Sequence, residues 1–309
     1  MRWARSLACV ALGAVAFTGC GSASSPGPAL GLRAGSLPSS HRSHIVVIVM
    51  ENKEAGALLG SHSAPYLNEL VRRYGLASAS YAITHPSLPN YLALTSGSTQ
   101  GVRSDCTSCH FGARNLVDEL EAHAISWRGY FEDVPGPCFA GAGAGGYARK
   151  HNPFIYYDDI ARSPSRCARL VGFGALASDL RRGTLPTFAW ITPNLCDDTH
   201  DCAVATGDRF LARTVPAILR ELGPHGFLVI TWDEGSTNAG CCGGAAAGGL
   251  VATVLAGPDV RAGARDARPL DSYGILRTVE DALGLPALGA SANPRSGTLA
   301  SLFRRPPRV

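Results

Sequence analysis

The sequence predicts one α/β domain, a mostly parallel central sheet flanked by helices on both faces. Three observations carry this expectation. Apolar, β-branched runs such as HIVVIVM (44–50), TFAWIT (187–192), FLVITWDEG (227–235) and LVATVLAG (250–257) lack polar alternation, as expected of strands buried on both faces. Helix-period segments separate these runs, the order that builds parallel crossover units. About 265 residues follow Ser43, enough for a single large core.

Residues 1–20, MRWARSLACVALGAVAFTGC, have the layout of an export signal: Arg2 and Arg5, an apolar run, then small residues. The run is shorter than the roughly 20 apolar residues that a membrane span needs. Its end on Gly19-Cys20 predicts lipoprotein processing with Cys20 acylated, and a plain secretory cut near Ala23 is the alternative. Residues 21–43, rich in Gly, Ser and Pro, read as a flexible tether. The expected location is therefore outside the cytoplasm, as a cell-envelope lipoprotein or a secreted protein that meets the membrane only through its N-terminal lipid. The formal charge of +4 falls to +2 once Arg2 and Arg5 leave with the signal, and no basic stripe suggests nucleic acid.

The elements of the domain, 44–288, follow in order. After the first strand, APYLNELVRRYG reads as a helix capped by Gly75, and ASASYAI (77–83) as the next strand. THPSLPN then turns into a helix, YLALTSG. NLVDELEAHA is a helix feeding the strand ISWRGYF. Past the glycine-rich FAGAGAGGYA, HNPFIYYDDI reads as a loop with a short helix or strand. DRFLARTVPAILREL and SYGILRTVEDALG are helices, the second stopping before Pro286. The Arg/Pro-rich tail, 289–309, reads as loose.

Of the 10 cysteines, eight remain beyond Cys9 and Cys20, and an even number in an exported chain favours disulfides. Nearness in sequence suggests Cys106 with Cys109 and Cys196 with Cys202. That leaves Cys138 with Cys167, and the adjacent Cys241 and Cys242, which bond each other or pair separately. CTSCH (106–110) also fits a haem-attachment pattern, but the only methionines are Met1 and Met50, so a methionine axial ligand is nearly excluded.

Ligands of open α/β sheets bind beyond the carboxyl ends of the strands. Four polar clusters fall there: Glu51-Asn52, His85 to Ser87, Asn194 to His200, and Asp233-Glu234. Glu51, Asn52, Asp233 and Glu234 are hard oxygen ligands, and three carboxylates in one crevice need a cation or protons to coexist. Ser87, between Pro86 and Pro89, is either a helix N-cap or a nucleophile activated beside that cation. His200, inside the short Cys196–Cys202 loop, reads as a general acid; His151, Asn152 and His85 are weaker candidates of the same kind. The glycine-rich stretch around Cys241 reads as a mobile flap near Asp233.

At VIVMEN, HPSLPNYLALTSG, YARKHNPF, TPNLCDDTHD, TWDEG and ILRTVEDALGLP, in that order, the chain resembles the bacterial phosphoesterase family of secreted acid phosphatases and phospholipases C, within the alkaline phosphatase superfamily. The resemblance runs from about His44 to Leu288. It implies an alkaline phosphatase-like fold, a divalent metal held by Glu51, Asn52, Asp233 and Glu234, and Ser87 as nucleophile. It implies also that His151 and His200 line the pocket, with His85, Asn90 and Asn152 near the phosphate. The chain departs from the family's pattern in KEAGALL after Asn52 and in DSYG before ILRT, where Ser272 stands in place of an expected histidine. The expected activity is metal-dependent hydrolysis of a small phosphate ester through a phosphoseryl enzyme, acid phosphatase-like. Phosphodiesterase or phospholipase C action on phospholipid head groups and catalytically silent phosphate binding are the alternatives.

Overall fold

The computed structural model describes residues 43–305. The export signal, the Cys20 lipidation site and the tether up to residue 42 lie outside the described residues, as do residues 306–309. Among the described residues no helix is long and apolar enough to cross a membrane.

The chain forms β1 (Ile45–Met50), β2 (Gly75–Tyr81), β3 (Trp127–Phe131), a small hairpin of β4 (Gly143–Ala144) and β5 (Tyr147–Ala148), then β6 (Leu170–Val171), β7 (Phe188–Thr192), β8 (Phe227–Trp232), β9 (Leu250–Ala256), β10 (Arg265–Asp266) and β11 (Leu270–Asp271). Apart from the hairpin these make one nine-stranded sheet in the order β10-β2-β9-β8-β1-β7-β3-β6, with β11 also on β2. β1 pairs in parallel with β7 and β8, and β3 with β6 and β7. β9 alone of the long strands is reversed, antiparallel to β8 and β2. The carboxyl ends of β1, β2, β7 and β8 therefore share one edge.

β1 shows why continuous apolar runs were needed. Ile45, Val47 and Val49 enter the core on one face of the sheet, while Val46, Ile48 and Met50 enter the core on the other. Both faces of β1 are buried, so all six of its side chains are apolar. The helices are α1 (Ala55–Leu58), α2 (Pro65–Arg73), α3 (Ser87–Ser96), α4 (Leu116–Ala122), α5 (Asp158–Ala161), α6 (Pro164–Cys167), α7 (Phe173–Arg182), α8 (Val204–Glu221) and α9 (Ser272–Leu283).

Three expectations are corrected. Gly75 does not cap α2: Tyr74 does, in extended conformation, and Gly75 opens β2, where a Cβ would press on Leu302 and Val260. The helix after THPSLPN starts earlier than expected, at Ser87, and all ten of its residues are buried. The tail is not loose as far as residue 305. It winds through short 3-10 turns and buries Leu299, Leu302 and Phe303, the last edge-on to Phe227 at 5.2 Å. Apolar side chains spaced three or four apart in LASLF supply the anchor, so the packed domain runs past residue 288.

Candidate active site

Register sets the centre of the site. Met50 lies opposite Trp232 in the β1–β8 ladder, so the residues that follow, Glu51 and Asp233, leave the sheet side by side. Asp233 N–H donates back to the Met50 carbonyl at 3.0 Å, and Asn52 N–H donates to Asp233 Oδ1 at 3.1 Å. Asn52 adopts φ 51°, a left-handed conformation that Asn tolerates better than most residues.

Ser87 arrives from α3. Its N-cap is Pro86, Ser87 is the first helical residue, and no side chain caps the helix. The hydroxyl is thus not spent on the helix. It lies 3.2 Å from both Glu51 Oε2 and Glu234 Oε1 and can donate its one proton to either. One turn later Tyr91 OH donates to Glu51 Oε1. The side-chain amide of Asn52 ends 3.0 Å from Glu234 Oε1 and 3.2 Å from both Glu51 Oε2 and Asp233 Oδ1. As nitrogen it would donate to these oxygens; as oxygen it completes a four-oxygen cage for a hard cation.

Electrostatics favour the cage. Burial raises Glu51 well above the usual carboxylate range, and the charges of Asp233 and Asp198 push it further. Asp233 is pushed up to about 8 by burial and then by Glu234. Burial also pushes Asp198 to about 8 and raises Glu234. All four shifts say that the folded site holds more negative charge than its own side chains neutralise. Asp233 Oδ2 and Asp198 Oδ2 are buried without a hydrogen-bond partner. Such a donor set fits a divalent cation, with Glu51, Asn52, Asp233 and Glu234 as its oxygen ligands. Glu51, His151 and His200 offer a second combination of ligand atoms, all within 4.8 Å of one another.

Nitrogen groups lie directly beside these acids. His151, buried, lies between Glu51 Oε2 at 3.2 Å and Asp198 Oδ2 at 3.3 Å, and stacks on Tyr91 at 5.5 Å. Its Nε2 is not aligned for a hydrogen bond. Burial depresses its basicity, and Lys150 and His200 depress it further. His200 Nδ1 meets Asp201 Oδ1 at 2.6 Å, and its Nε2 lies 3.3 Å from Lys150 Nζ. An ammonium only donates, so Nε2 accepts and the imidazole proton sits on Nδ1.

The remaining candidates divide. His85 Nδ1 contacts Glu234 Oε2, and its Nε2 lies 2.9 Å from the Thr237 carbonyl. Burial lowers its basicity, but these bonds outweigh burial and raise it. Asn90 spends its side chain on backbone, accepting from Ile83 and Thr84 and donating to the Thr84 and Pro86 carbonyls. It shapes the turn before Ser87 and has no atom left for phosphate. Asn152 donates to Tyr147 OH at 3.1 Å, while its Oδ1 is buried without a partner. Disulfides join Cys106 to Cys109, Cys138 to Cys167, Cys196 to Cys202 and Cys241 to Cys242. The CTSCH sulfurs bond each other and leave no thiol for haem. The glycine-rich flap is tied down: Glu54 accepts from Ser236, Thr237 and Leu250, and a Cβ on Gly248 would meet Thr84 backbone at 2.6 Å.

Sequence reasoning passed over Tyr91, Asp105, Lys150 and the role of Asp198. Of these only Asp198, inside DDTHD, falls within a polar cluster that the sequence singles out.

Residues 59–286 match the phosphoesterase family. The chain belongs to that family. It is a hydrolase of phosphate esters, and its fold is that of the alkaline phosphatase superfamily. A phosphatidylinositol-3-phosphatase of Mycobacterium tuberculosis is 33% identical over 86% of this chain and 84% of its own length. An acid phosphatase of Aspergillus fumigatus is 29% identical over 68% of this chain, which spans only 48% of that longer protein. Among solved structures, an alkaline phosphatase superfamily protein from Vibrio parahaemolyticus superposes with a TM-score of 0.56 at 12% identity, covering 79% of this chain and 67% of that one.

Proposed function

We propose that the phosphoesterase is a metal-dependent phosphomonoesterase working through a phosphoseryl intermediate on Ser87. The observation that supports this best is the Ser87 hydroxyl, held between Glu51 and Glu234 at the first residue of a buried helix. Glu51, Asn52, Asp233 and Glu234 would hold a divalent cation, which supplies charge neutralisation and acidifies a neighbouring hydroxyl. The Ser87 proton passes to one of the carboxylates it already contacts, and Oγ forms a bond to phosphorus as the ester P–O bond breaks. The departing alkoxide takes a proton from a water beside His200 and Lys150, leaving hydroxide. That hydroxide then attacks phosphorus and releases orthophosphate as the Ser87 oxygen leaves and takes back its proton from the carboxylate. Positioning and charge compensation suffice for this transfer.

The mycobacterial relative makes a phosphoinositide monophosphate the first lipid substrate to try. Four disulfides in one domain suit an oxidising compartment, in keeping with the export signal and the proposed anchor at Cys20. Replacing Ser87 by Ala should lower kcat on p-nitrophenyl phosphate by about 1,000-fold or more, with folding unchanged. Turnover by that variant at the parent rate would remove Ser87 from the mechanism.

A further inference from the structure

We infer that Lys150 is a specificity-determining residue that selects dianionic monoesters over monoanionic diesters; this rests on Ser87 being the nucleophile. Lys150 sits in the short 3-10 turn Arg149–His151, among the nitrogen groups of the site. Its ammonium donates to Asp105 Oδ2 at 2.9 Å and lies 3.3 Å from His200 Nε2. Asp105 uses its other oxygen to accept the Leu88 N–H at 3.0 Å, the peptide immediately after Ser87. A rigid path therefore fixes the lysine nitrogen relative to the nucleophile: α3, Asp105, Lys150.

Three donors belong to an ammonium, and two are engaged. Among the described residues the third N–H has no partner. Lys53 Nζ donates to the Thr199 carbonyl at 2.6 Å, and Arg149 Nη1 donates to the Ala140 carbonyl at 2.5 Å while its guanidinium lies over the Tyr156 ring. The side chain of Lys150 is only 21% exposed, so its charge acts through little water.

The acids and the lysine act in opposite senses on a bound phosphate. A phosphate monoester carries a second negative charge that a diester lacks. The acids repel that charge except where a cation compensates it, whereas the lysine attracts it. Discrimination between the two ester classes thus falls on the nitrogen groups, and Lys150 is the permanently charged one among them.

The test compares kcat/KM for p-nitrophenyl phosphate and bis(p-nitrophenyl) phosphate. In Lys150→Met the monoester-to-diester ratio should fall at least tenfold, and Lys150→Arg should recover part of it. Asp105→Asn, which loosens the lysine, should move the ratio the same way by less. A loss shared equally by both esters would mark Lys150 as a structural residue and overturn the inference. Should the methionine variant not fold, Lys150→Gln reads the same ratio. Wild-type protein must itself favour the monoester at least tenfold, and parity there also overturns the inference. Wild-type protein inert on both esters would instead overturn the phosphomonoesterase reading and this one with it. Wild-type selectivity that survives in the Lys150 variants removes the lysine assignment alone.

Discussion

Two clusters of acids in this protein look alike in composition and differ in what neutralises them. Asp118, Glu121 and Asp159 surround Arg166, whose guanidinium reaches Asp118 and Glu121 at 2.9 Å each and also contacts Asp159. Asn115 adds donors to Asp118 and Asp159. Glu51, Asp198, Asp233 and Glu234 are more deeply buried, yet among the described residues no arginine or lysine forms an ion pair with any of them. A histidine approaches three of the four. The first cluster is closed by its own cation and serves the fold. The second lacks one, and it is the second that holds the Ser87 hydroxyl. Uncompensated burial, rather than acid density, separates a site from a structural network.

That contrast can be broken in two ways. The larger effect should come from chelation. Stripping divalent ions should reduce phosphatase activity by about 100-fold or more, and restoring the ion should recover it. The metal-free protein should also lose stability as pH rises. Asp198 and Asp233 are protonated more readily folded, at about 8, than at their ordinary value of 3.8. Their contribution is therefore complete below 3.8 and disappears as pH passes about 8. Calorimetry should find the metal-free melting temperature falling by about 5 °C or more between pH 4 and 8, and a bound cation suppressing the fall. A melting temperature indifferent to both would mean that the cluster is not frustrated.

The smaller effect should come from the other cluster. Arg166→Met should cost about 2 kcal/mol by removing the cation from among three acids, less than for a fully buried pair because Arg166 is partly exposed. Metal affinity and kcat should change by less than about twofold, since the two clusters share no partner. Denaturant melts and the p-nitrophenyl phosphate assay read these separately. A large loss of activity in a folded Arg166 variant would dissolve the distinction.

The legibility of the sequence followed the same divide. Strands buried on both faces were readable because burial leaves only apolar residues, and the polar clusters stood out at their ends. The reversal of β9 was not readable, since LVATVLAG looks the same run in either direction. The contact at its start, Leu250 N–H to Glu54, spans 196 positions and leaves no local pattern. The tail was misjudged because its arginines and prolines outnumber the few apolar residues that anchor it. Asp105, Lys150 and Tyr91 were missed for a simpler reason. Tyr91 meets Glu51 40 positions away, and Lys150 meets Asp105 and His200 45 and 50 positions away. Asn90 was misread in the opposite sense, because its neighbours Thr84 and Pro86 claim its amide locally.

The most direct test of a cation held among these acids is elemental analysis of the purified protein beside its Asp233→Asn variant, both after dialysis against metal-free buffer. The account predicts a near-stoichiometric divalent metal in the wild type and its loss, together with activity, in the variant. A wild-type protein that hydrolyses phosphate esters at full rate with no bound metal would contradict it.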